Sequence, residues 1–257
     1  IMKNKLINSF LIIIFLVGCS DQTANDDKET SNNGPYYAEF LACSAGPDFN
    51  RENMDKLIAD WNDLDLSEDL IWAGGYAPYG ENHSYENGWW ELNWTSKESA
   101  EAAWKEWMAN DEAQAWDKNS DNVLDCDTSR IFSWDLYIPG PSPEDFGSMD
   151  YFVTATQECV FNENKDVDDL KANIKDFNAW LDGNSTGEPY MYGVYLSNSD
   201  TDSDFLWLNW HKSFDDMNSG NKNWAETGQS VQDGFDKFDL DVVNNGRKGV
   251  KTVTEAI

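Results

Sequence analysis

The apolar residues of the chain follow two spacings in turn, and each spacing predicts a different element. Apolar runs rich in aromatic residues, such as 36–45 and 89–94, are typical of strands. Between them, 51–62 carries apolar residues at i, i+3, i+4 and i+7, which indicates a helix with one buried face. A capping box, Thr95 to Glu98, predicts the start of a second helix. Together with strand-like runs at 69–79 and 130–139, these segments predict the order β-α-β-β-α-β.

The same pattern occurs again 116 residues further along the chain. The triplet Leu-Asn-Trp at 92–94 recurs at 208–210, and this ungapped shift superposes 14 identical residues between positions 43 and 125 and their partners. Unrelated sequences of usual composition would share roughly 5 over such a span. We therefore predict a tandem repeat. Repeat 1 is expected at 36–139, a Pro/Gly/Ser-rich linker at 140–148 and repeat 2 at 149–257.

The N-terminal 35 residues predict export rather than a folded element. Lys3 and Lys5 precede a short apolar run, as in a secretory signal peptide. The run ends in Leu-Val-Gly-Cys at 16–19, which resembles the bacterial lipoprotein box. The resemblance implies a signal peptide at 1–18, lipid on Cys19, and a location on the bacterial cell envelope that faces the periplasm or the cell surface. The polar segment 19–35 is expected to be a disordered tether, and an ordinary signal peptide with an incidental Cys19 is the alternative.

The amino-acid composition makes some classes of binding partner unfavourable. The formal net charge of -30 repels nucleic acid and anionic headgroups, so we expect no nucleic-acid partner and membrane contact only through the lipid anchor. Such acidity also suits a saline medium. The 13 Trp residues supply core mass and stacking surfaces for a ligand. No nucleophile elbow, phosphate loop or zinc spacing is present in the sequence.

The aromatic third strand that runs into the helix start "NWTSKESAEAAW" gives the chain a family resemblance. With its element order, it resembles the dimeric α+β barrel superfamily, which includes antibiotic-biosynthesis-monooxygenase-like and EthD-like proteins. The predicted fold class is α+β: two tandem ferredoxin-like repeats packed sheet to sheet as a pseudo-dimeric α+β barrel. The resemblance implies that one chain supplies both halves, so we expect a monomer. Some members bind or degrade haem through an interior His or an Asn-Trp-His set, but this chain has no matching spacing. No cofactor is predicted, and haem and calcium are minor alternatives.

Strand alternation predicts a candidate site inside the barrel. In the third strand of repeat 1, one face carries Trp89, Glu91 and Asn93, a mixture of aromatic and polar groups typical of a ligand-lined interior. The other face is apolar and is expected to lie under the helices. The same alternation places Trp207, Asn209 and His211 of repeat 2 in the interior. The two Asn residues are expected either to bind a ligand or to bond to each other or to strand backbone.

Tyrosines of the second strands and a histidine complete this site prediction. Tyr76, Tyr79, Tyr192 and Tyr195 are candidates to add phenol groups to the interior. Because residues of opposite parity face opposite sides, only one tyrosine per repeat should point inward, and Tyr76 and Tyr192, related by the same shift, are the ones selected; ordinary strand aromatics are the alternative. His211 is the predicted catalytic acid or base, or a metal ligand.

Two smaller features carry chemistry of their own. In the ferredoxin-like order strand 1 lies antiparallel to strand 4, so a Cys43–Cys126 disulfide is expected outside the cytoplasm, with Cys43–Cys159 as the competing pair. An acidic segment is spaced like positions 1, 3, 5 and 9 of a calcium loop, although Asn122 replaces its Gly and Thr128 its final Glu. The candidate calcium ligands are Asp117, Asn119, Asp121 and Asp125, and an acidic turn without metal is the alternative.

Three functions follow from these features. The first is a lipid-anchored extracytoplasmic module that binds a small, aromatic or apolar molecule in the barrel. The second is a monooxygenase- or isomerase-like enzyme that uses His211 with Asn93 or Asn209. The third is a structural envelope protein or a carbohydrate-contacting protein whose Trp rings lie on the surface.

Overall fold

The computed structural model describes residues 35–78, 88–138, 152–184, 186, 190–199, 201–236, 241–242 and 252–256. The predicted signal peptide, the lipidation residue Cys19, the tether up to residue 34 and the linker all lie outside these residues. Nine strands and six helices are described, in the order β1 (Tyr36–Ala45), α1 (Arg51–Asn62), β2 (Leu70–Pro78), β3 (Gly88–Trp94), α2 (Lys97–Ala109), α3 (Asp111–Ser120), β4 (Leu124–Tyr137), β5 (Val153–Val160), α4 (Val167–Asn184), β6 (Tyr190–Ser197), β7 (Phe205–His211), α5 (Phe214–Thr227), α6 (Gln229–Asp236), β8 (Asp241–Val242) and β9 (Thr252–Ala256).

Eight of the strands close into an antiparallel barrel. Their order around the barrel is β4-β1-β3-β2-β9-β5-β7-β6, and β6 pairs with β4 to close the ring. The short β8 pairs with the end of β5. A barrel of this size leaves room inside for side chains and at most one small ligand.

The first half of the fold (36–138) and the second half (152–256) have the same order of elements. Within each half the sheet order is fourth, first, third and second strand, and the fourth strand of the second half is split into β8 and β9. Each half joins the other through its outer strands, since β2 pairs with β9 and β4 pairs with β6. The predicted α+β fold class is confirmed, with the two sheets joined edge to edge by hydrogen bonds into one barrel.

Helices cover the outside of each half-sheet. In α1 the predicted stripe is buried, with Met54, Leu57 and Trp61 against the sheet, and Asn50 caps the helix by accepting from the backbone N–H of Asn53 at 3.0 Å. The capping box of α2 lies one residue beyond the predicted one. Ser96 is the cap and exchanges hydrogen bonds with Ser99, because the side chain of Thr95 donates instead to Asp69.

The cysteines follow the first of the two predicted pairings. Cys43 of β1 lies opposite Cys126 of β4, and the two form a disulfide. In the second half Cys159 lies opposite Val242 and is buried and free.

None of the helices among the described residues has both the length and the apolar composition required to cross a bilayer.

Candidate functional site

In the first half, β3 has the orientation predicted from alternation. Trp90 and Leu92 pack under the helices, whereas Glu91 lies in the barrel interior with no exposed surface. Trp89 lies on the same face as Glu91, half-buried against Phe40 and Phe132. The interior face of β3 is therefore as expected.

In the second half, β7 has the opposite orientation, and the predicted interior residues lie outside the barrel. Trp207 packs under the helices against Phe177, and its ring stacks on Tyr192 at 4.6 Å. Leu208 and Trp210, expected under the helices, are part of the interior cluster instead. The prediction that Trp207, Asn209, His211 and Tyr192 line the interior is wrong.

The strand registers give the physical reason. Tyr37 of β1 pairs with Trp94 of β3, and Val153 of β5 pairs with His211 of β7. Tyr37 and Val153 are 116 positions apart, as in the sequence repeat, but Trp94 and His211 are 117 apart. The structural counterparts in β3 and β7 are therefore offset by one residue from the repeated triplet. A slip of one residue turns every side chain to the other face of the sheet. Leu92 and Leu208 thus face opposite sides although their sequences match.

A carboxyl group at the centre of the barrel receives hydrogen bonds from both halves. Tyr76 of β2 donates to Oε2 of Glu91, and Tyr195 of β6 donates to Oε1 at 2.5 Å. The two tyrosines occupy corresponding positions, opposite Trp89 in one half and Leu206 in the other. The sequence shift paired Tyr76 with Tyr192, so Tyr192 was selected as the interior tyrosine of the second half in place of Tyr195. The register of the two hairpins, β2–β3 and β6–β7, identifies Tyr195, because Gly74 and Gly193 occupy corresponding positions and Tyr76 and Tyr195 each lie two residues further on.

Two further residues support this carboxyl group. The amide of Asn93 is hydrogen-bonded to Glu91 and Tyr195, while its own Oδ1 is buried without a partner. Trp210 donates from Nε1 to the Tyr76 hydroxyl at 3.3 Å. The Trp210 ring crosses β6 at Gly193, where a Cβ would come within 2.9 Å of it. Two predicted site residues, Tyr76 and Asn93, are therefore brought to Glu91.

The environment of Glu91 favours its neutral form. Burial raises its pKa to about 7, and the hydrogen bonds from Tyr195, Tyr76 and Asn93 only partly oppose the shift. Such a group can hold or release a proton near neutral pH. However, aromatic rings pack closely around it, with Phe40 and Tyr195 at 5.4 Å and Tyr76 and Phe152 at 5.5 Å. The interior is a packed core around one acid.

The other predicted polar residues serve structural roles under the helices. Asn209 accepts from Tyr190 at 2.6 Å and from Trp207 at 3.0 Å, and donates to the backbone oxygen of Ala155. His211 is 6% exposed and lies against the ring of Tyr190 at 5.1 Å. Because the sheet separates both residues from Asn93, the predicted combination of His211 with Asn93 is not assembled.

The environment of His211 does not suit haem. It is the one histidine among the described residues, and its ring is enclosed by Tyr190 and by helix α5 at Gly220, where a Cβ would lie 3.6 Å from the imidazole. A histidine can bind a haem iron only through a ring nitrogen that is accessible to the haem. The residues present therefore do not fit the group.

The candidate calcium ligands do not form a loop. Asp117 and Asn119 belong to α3, Asp121 ends that helix, and Asp125 lies in β4. Among the described residues, no group of three or more acidic, His or Cys side chains converges as a metal site would require. The spacing matched a calcium loop, but the local structure is the end of a helix followed by a strand.

A cavity of about 100 Å³ lies between the sheet and helices of the first half. We call it the first-half cavity. Its walls include six indole rings, and four acidic residues also line it. Three of those four, Asp65, Glu106 and Asp121, are exposed and mark the mouth. The ring-bearing residues are Trp61, Trp90, Trp94, Trp104, Trp107 and Trp116.

Four of these rings form a cluster with angled faces. Trp61 contacts Trp90, Trp107 and Trp116 at 5.5, 5.4 and 5.0 Å between centroids. The interplanar angles are 71°, 42° and 60°, so the faces point in several directions around Trp61. Trp116 is held further by a hydrogen bond from Nε1 to the backbone oxygen of Leu57 at 3.3 Å. The cavity wall is thus a preformed aromatic surface.

A buried carboxyl group fixes two other indoles of the wall. Glu39 is 5% exposed, and its Oε2 accepts from Trp94 at 3.0 Å and from Trp104 at 2.8 Å. Burial raises its pKa, and the two indole hydrogen bonds oppose that shift. Glu39 therefore positions Trp94 and Trp104 from behind the cavity wall. The sequence offered no signal for this role, since Glu39 lies within an apolar strand.

Comparison with known proteins supports the fold and no closer relationship. No family model matches the chain, and no curated protein sequence matches it significantly. Among solved structures, a putative monooxygenase from Lactobacillus acidophilus is similar with a TM-score of 0.50 and 9% identity, over 87% of this chain and 93% of that one. A chlorite dismutase from Candidatus Nitrospira defluvii in complex with imidazole has a TM-score of 0.46 and 10% identity, over 90% and 95%. An anthrone oxidase-like protein has a TM-score of 0.47 and 8% identity, over 87% and 92%. The similarity to the putative monooxygenase shows a shared fold, the dimeric α+β barrel, and nothing beyond the fold.

Proposed function

We propose that the protein is a lipid-anchored, extracytoplasmic module that binds a small molecule in the first-half cavity. The anchor is the lipid on Cys19, and the chain acts as a monomer because both halves of the barrel belong to it. The observation that carries the proposal is the first-half cavity itself, with its preformed indole wall and its mouth at Asp65, Glu106 and Asp121. The ligand site is thus outside the barrel, beneath α1, α2 and α3.

The size of the cavity limits the ligand. An apolar cavity of about 150 Å³ holds benzene or xenon, so one of about 100 Å³ suits a single ring or a group of comparable bulk. The remainder of a larger ligand would extend through the mouth. Apolar walls with a few polar groups are typical of small-molecule sites.

The burial of the Trp residues favours this function over the binding of carbohydrate at the protein surface. All 13 Trp residues are among the described residues, and none of them is exposed. A protein that stacks on carbohydrate needs accessible ring faces. We therefore do not propose a carbohydrate-contacting role.

Fluorine NMR on protein labelled with 5-fluorotryptophan tests the proposal. Single Trp→Phe variants assign the signals, and benzene and indole serve as probes. We expect both probes to shift the signals of Trp61, Trp107 and Trp116, and to leave Trp224 of the second half unchanged. Ala113→Leu, which fills the cavity, should abolish the shifts, whereas Ala115→Leu on the exposed side of the same helix should keep them. Probes that shift none of the three signals overturn the proposal.

An acid–base enzyme is the second candidate. The observation that favours it is the Glu91 carboxyl group, which accepts hydrogen bonds from Tyr76 and Tyr195 and whose pKa of about 7 suits proton transfer near neutral pH. A substrate would reach this group only by displacing the aromatic rings that pack around it. The same NMR experiment separates the two functions. A molecule that acts at Glu91 shifts the signal of Trp210, which donates to Tyr76 beside the carboxyl group.

A further inference from the structure

We propose that the ligand of the first-half cavity is a small organic cation with a compact alkylammonium head, held by indole faces and by carboxylates at the mouth. This inference rests on the proposed function and names the class of its ligand. Two independent features of the cavity carry it: the arrangement of its rings and the sign of its charges.

The rings offer a surface that suits a cation. The face of an indole is the most favourable aromatic surface for a positive charge, at a distance of about 6 Å or less from its centroid. Trp61, Trp107 and Trp116 meet at centroid distances of 5.0 to 5.9 Å with their planes at 42° to 79°. All three rings line the cavity, and sites lined by aromatic rings bind quaternary ammonium groups. A neutral aromatic molecule would gain burial and ring–ring contacts there, but it has no net charge to be attracted by the ring faces and the carboxylates.

The charges around the cavity are all of one sign. Asp65, Glu106, Asp117 and Asp121 line it, and among the described residues that line it none is Lys, Arg or His. None of the ion pairs between described residues includes these four carboxylates. A ligand cation would supply the missing counter-charge.

The repulsion between the acidic residues of the cavity is clearest at Asp117. Its side chain is half-buried in the cavity wall, and its pKa is raised first by burial and then by the neighbouring carboxylate of Asp121. Behind the wall, the buried Glu39 adds another carboxyl group next to Trp94 and Trp104. A bound cation would relieve the repulsion between Asp117 and Asp121.

Calorimetry with a matched pair of ligands tests the inference. Choline carries a trimethylammonium head, and 3,3-dimethyl-1-butanol carries an uncharged tert-butyl group of the same shape. At low ionic strength, where screening is weak, we expect choline to bind at least about tenfold more tightly than the alcohol. Raising the ionic strength should reduce the difference.

Two variants distinguish attraction of choline by the cavity carboxylates from attraction by the net charge of the whole protein. Asp117→Asn should weaken choline binding about three- to tenfold and leave the alcohol unchanged. Asp233→Asn removes the same charge from an exposed site on α6 of the second half, and should change neither affinity. Glu106→Gln, at the exposed mouth, provides a second test if Asp117→Asn alters the melting temperature.

The outcomes distinguish this inference from the proposed function. Equal or tighter binding of the alcohol overturns the cation and leaves a small-molecule site in place. An equal loss with Asp233→Asn also overturns it, since the attraction is then that of the whole acidic protein. If neither compound binds, the cation is overturned, and the fluorine NMR experiment with neutral rings decides separately whether the cavity binds a ligand at all.

Discussion

The layers between sheet and helices are built on the same scaffold in the two halves but are filled differently. In the second half, Phe177 of α4 contacts six other aromatic rings, and the layer is a packed core. Its counterpart in α1, Trp61, also contacts several rings but lies beside a cavity. The contrast shows that the space depends on side-chain size and not on the fold.

The residues responsible can be identified from the strand registers and the helices. Ala73 and Gly75 of β2 lie opposite Leu92 and Trp90, whereas Tyr192 and Val194 occupy the corresponding places in β6. Likewise, α3 buries Ala113 and Ser120, but α6 buries the larger Val231 and Phe235. Of these small residues, Ala113 and Ser120 line the first-half cavity, so the small side chains of α3 leave volume where α6 places larger ones.

The halves also differ in their buried acids. Glu39 and Glu91 belong to the first half, and the corresponding positions in the second half are Ala155 and Leu208, as the pairings of β1 with β3 and of β5 with β7 show. The first half therefore carries both the cavity and the two buried glutamates. Features that packing alone does not require are concentrated there.

Removing the central ring of the second half should destabilise the protein most. Phe177→Ala removes the central ring of the second half and should lower the free energy of unfolding by about 3–5 kcal/mol. Trp116→Ala in the first half, at a half-buried ring that already borders the cavity, should cost only about 1–2 kcal/mol. Urea denaturation measures both. Equal losses would mean that the two layers are packed alike.

A second prediction concerns the acid of the first half at the barrel centre. Its folded-state pKa of about 7 exceeds the ordinary value of 4.5, so Glu91 in the folded protein binds more protons than in the unfolded chain between these values. Stability relative to Glu91→Gln should therefore be highest below pH 4.5 and fall by roughly 3 kcal/mol as the pH rises to 7. Urea denaturation of both proteins across this range measures the difference. Glu106→Gln, at an exposed position, should show no such trend, and the same flat result for Glu91→Gln would contradict its buried state.

Filling the first-half cavity should change stability only slightly. Ala113→Leu adds apolar atoms to the first-half cavity and should change the free energy of unfolding by no more than about 1 kcal/mol, in the stabilising direction. The exposed control Ala115→Leu should alter it by less than about 0.5 kcal/mol. Thermal denaturation compares the two. A loss of about 1–3 kcal/mol for Ala113→Leu would instead indicate a layer that is already full.

Local periodicity predicted the elements of this fold well. The stripe from Met54 to Trp61 gave α1, and alternation gave the correct interior face of β3 at Glu91. These patterns depend on the chain within a few residues of each position. The placement of Cys43 opposite Cys126 followed from strand order alone.

The candidate site was harder to predict because it depends on register. The repeated Leu-Asn-Trp suggested that Asn93 and Asn209 face the same interior, but Tyr76 and Trp89 are 13 positions apart while Tyr195 and Leu206 are 11 apart. One ungapped shift cannot describe hairpins of different length. The first-half cavity depends on Ala113 and Ser120 of α3, and a sequence does not show how much space such small residues leave in the packed fold.

A crystal of the protein under xenon pressure would show directly whether the two halves differ in empty space, because xenon occupies apolar cavities and scatters strongly. We expect a xenon site between the sheet and α1, α2 and α3, in contact with Trp61 and Trp116, and none in the layer around Phe177. Xenon beside Phe177, or no xenon beside Trp61, would contradict the difference between the two halves.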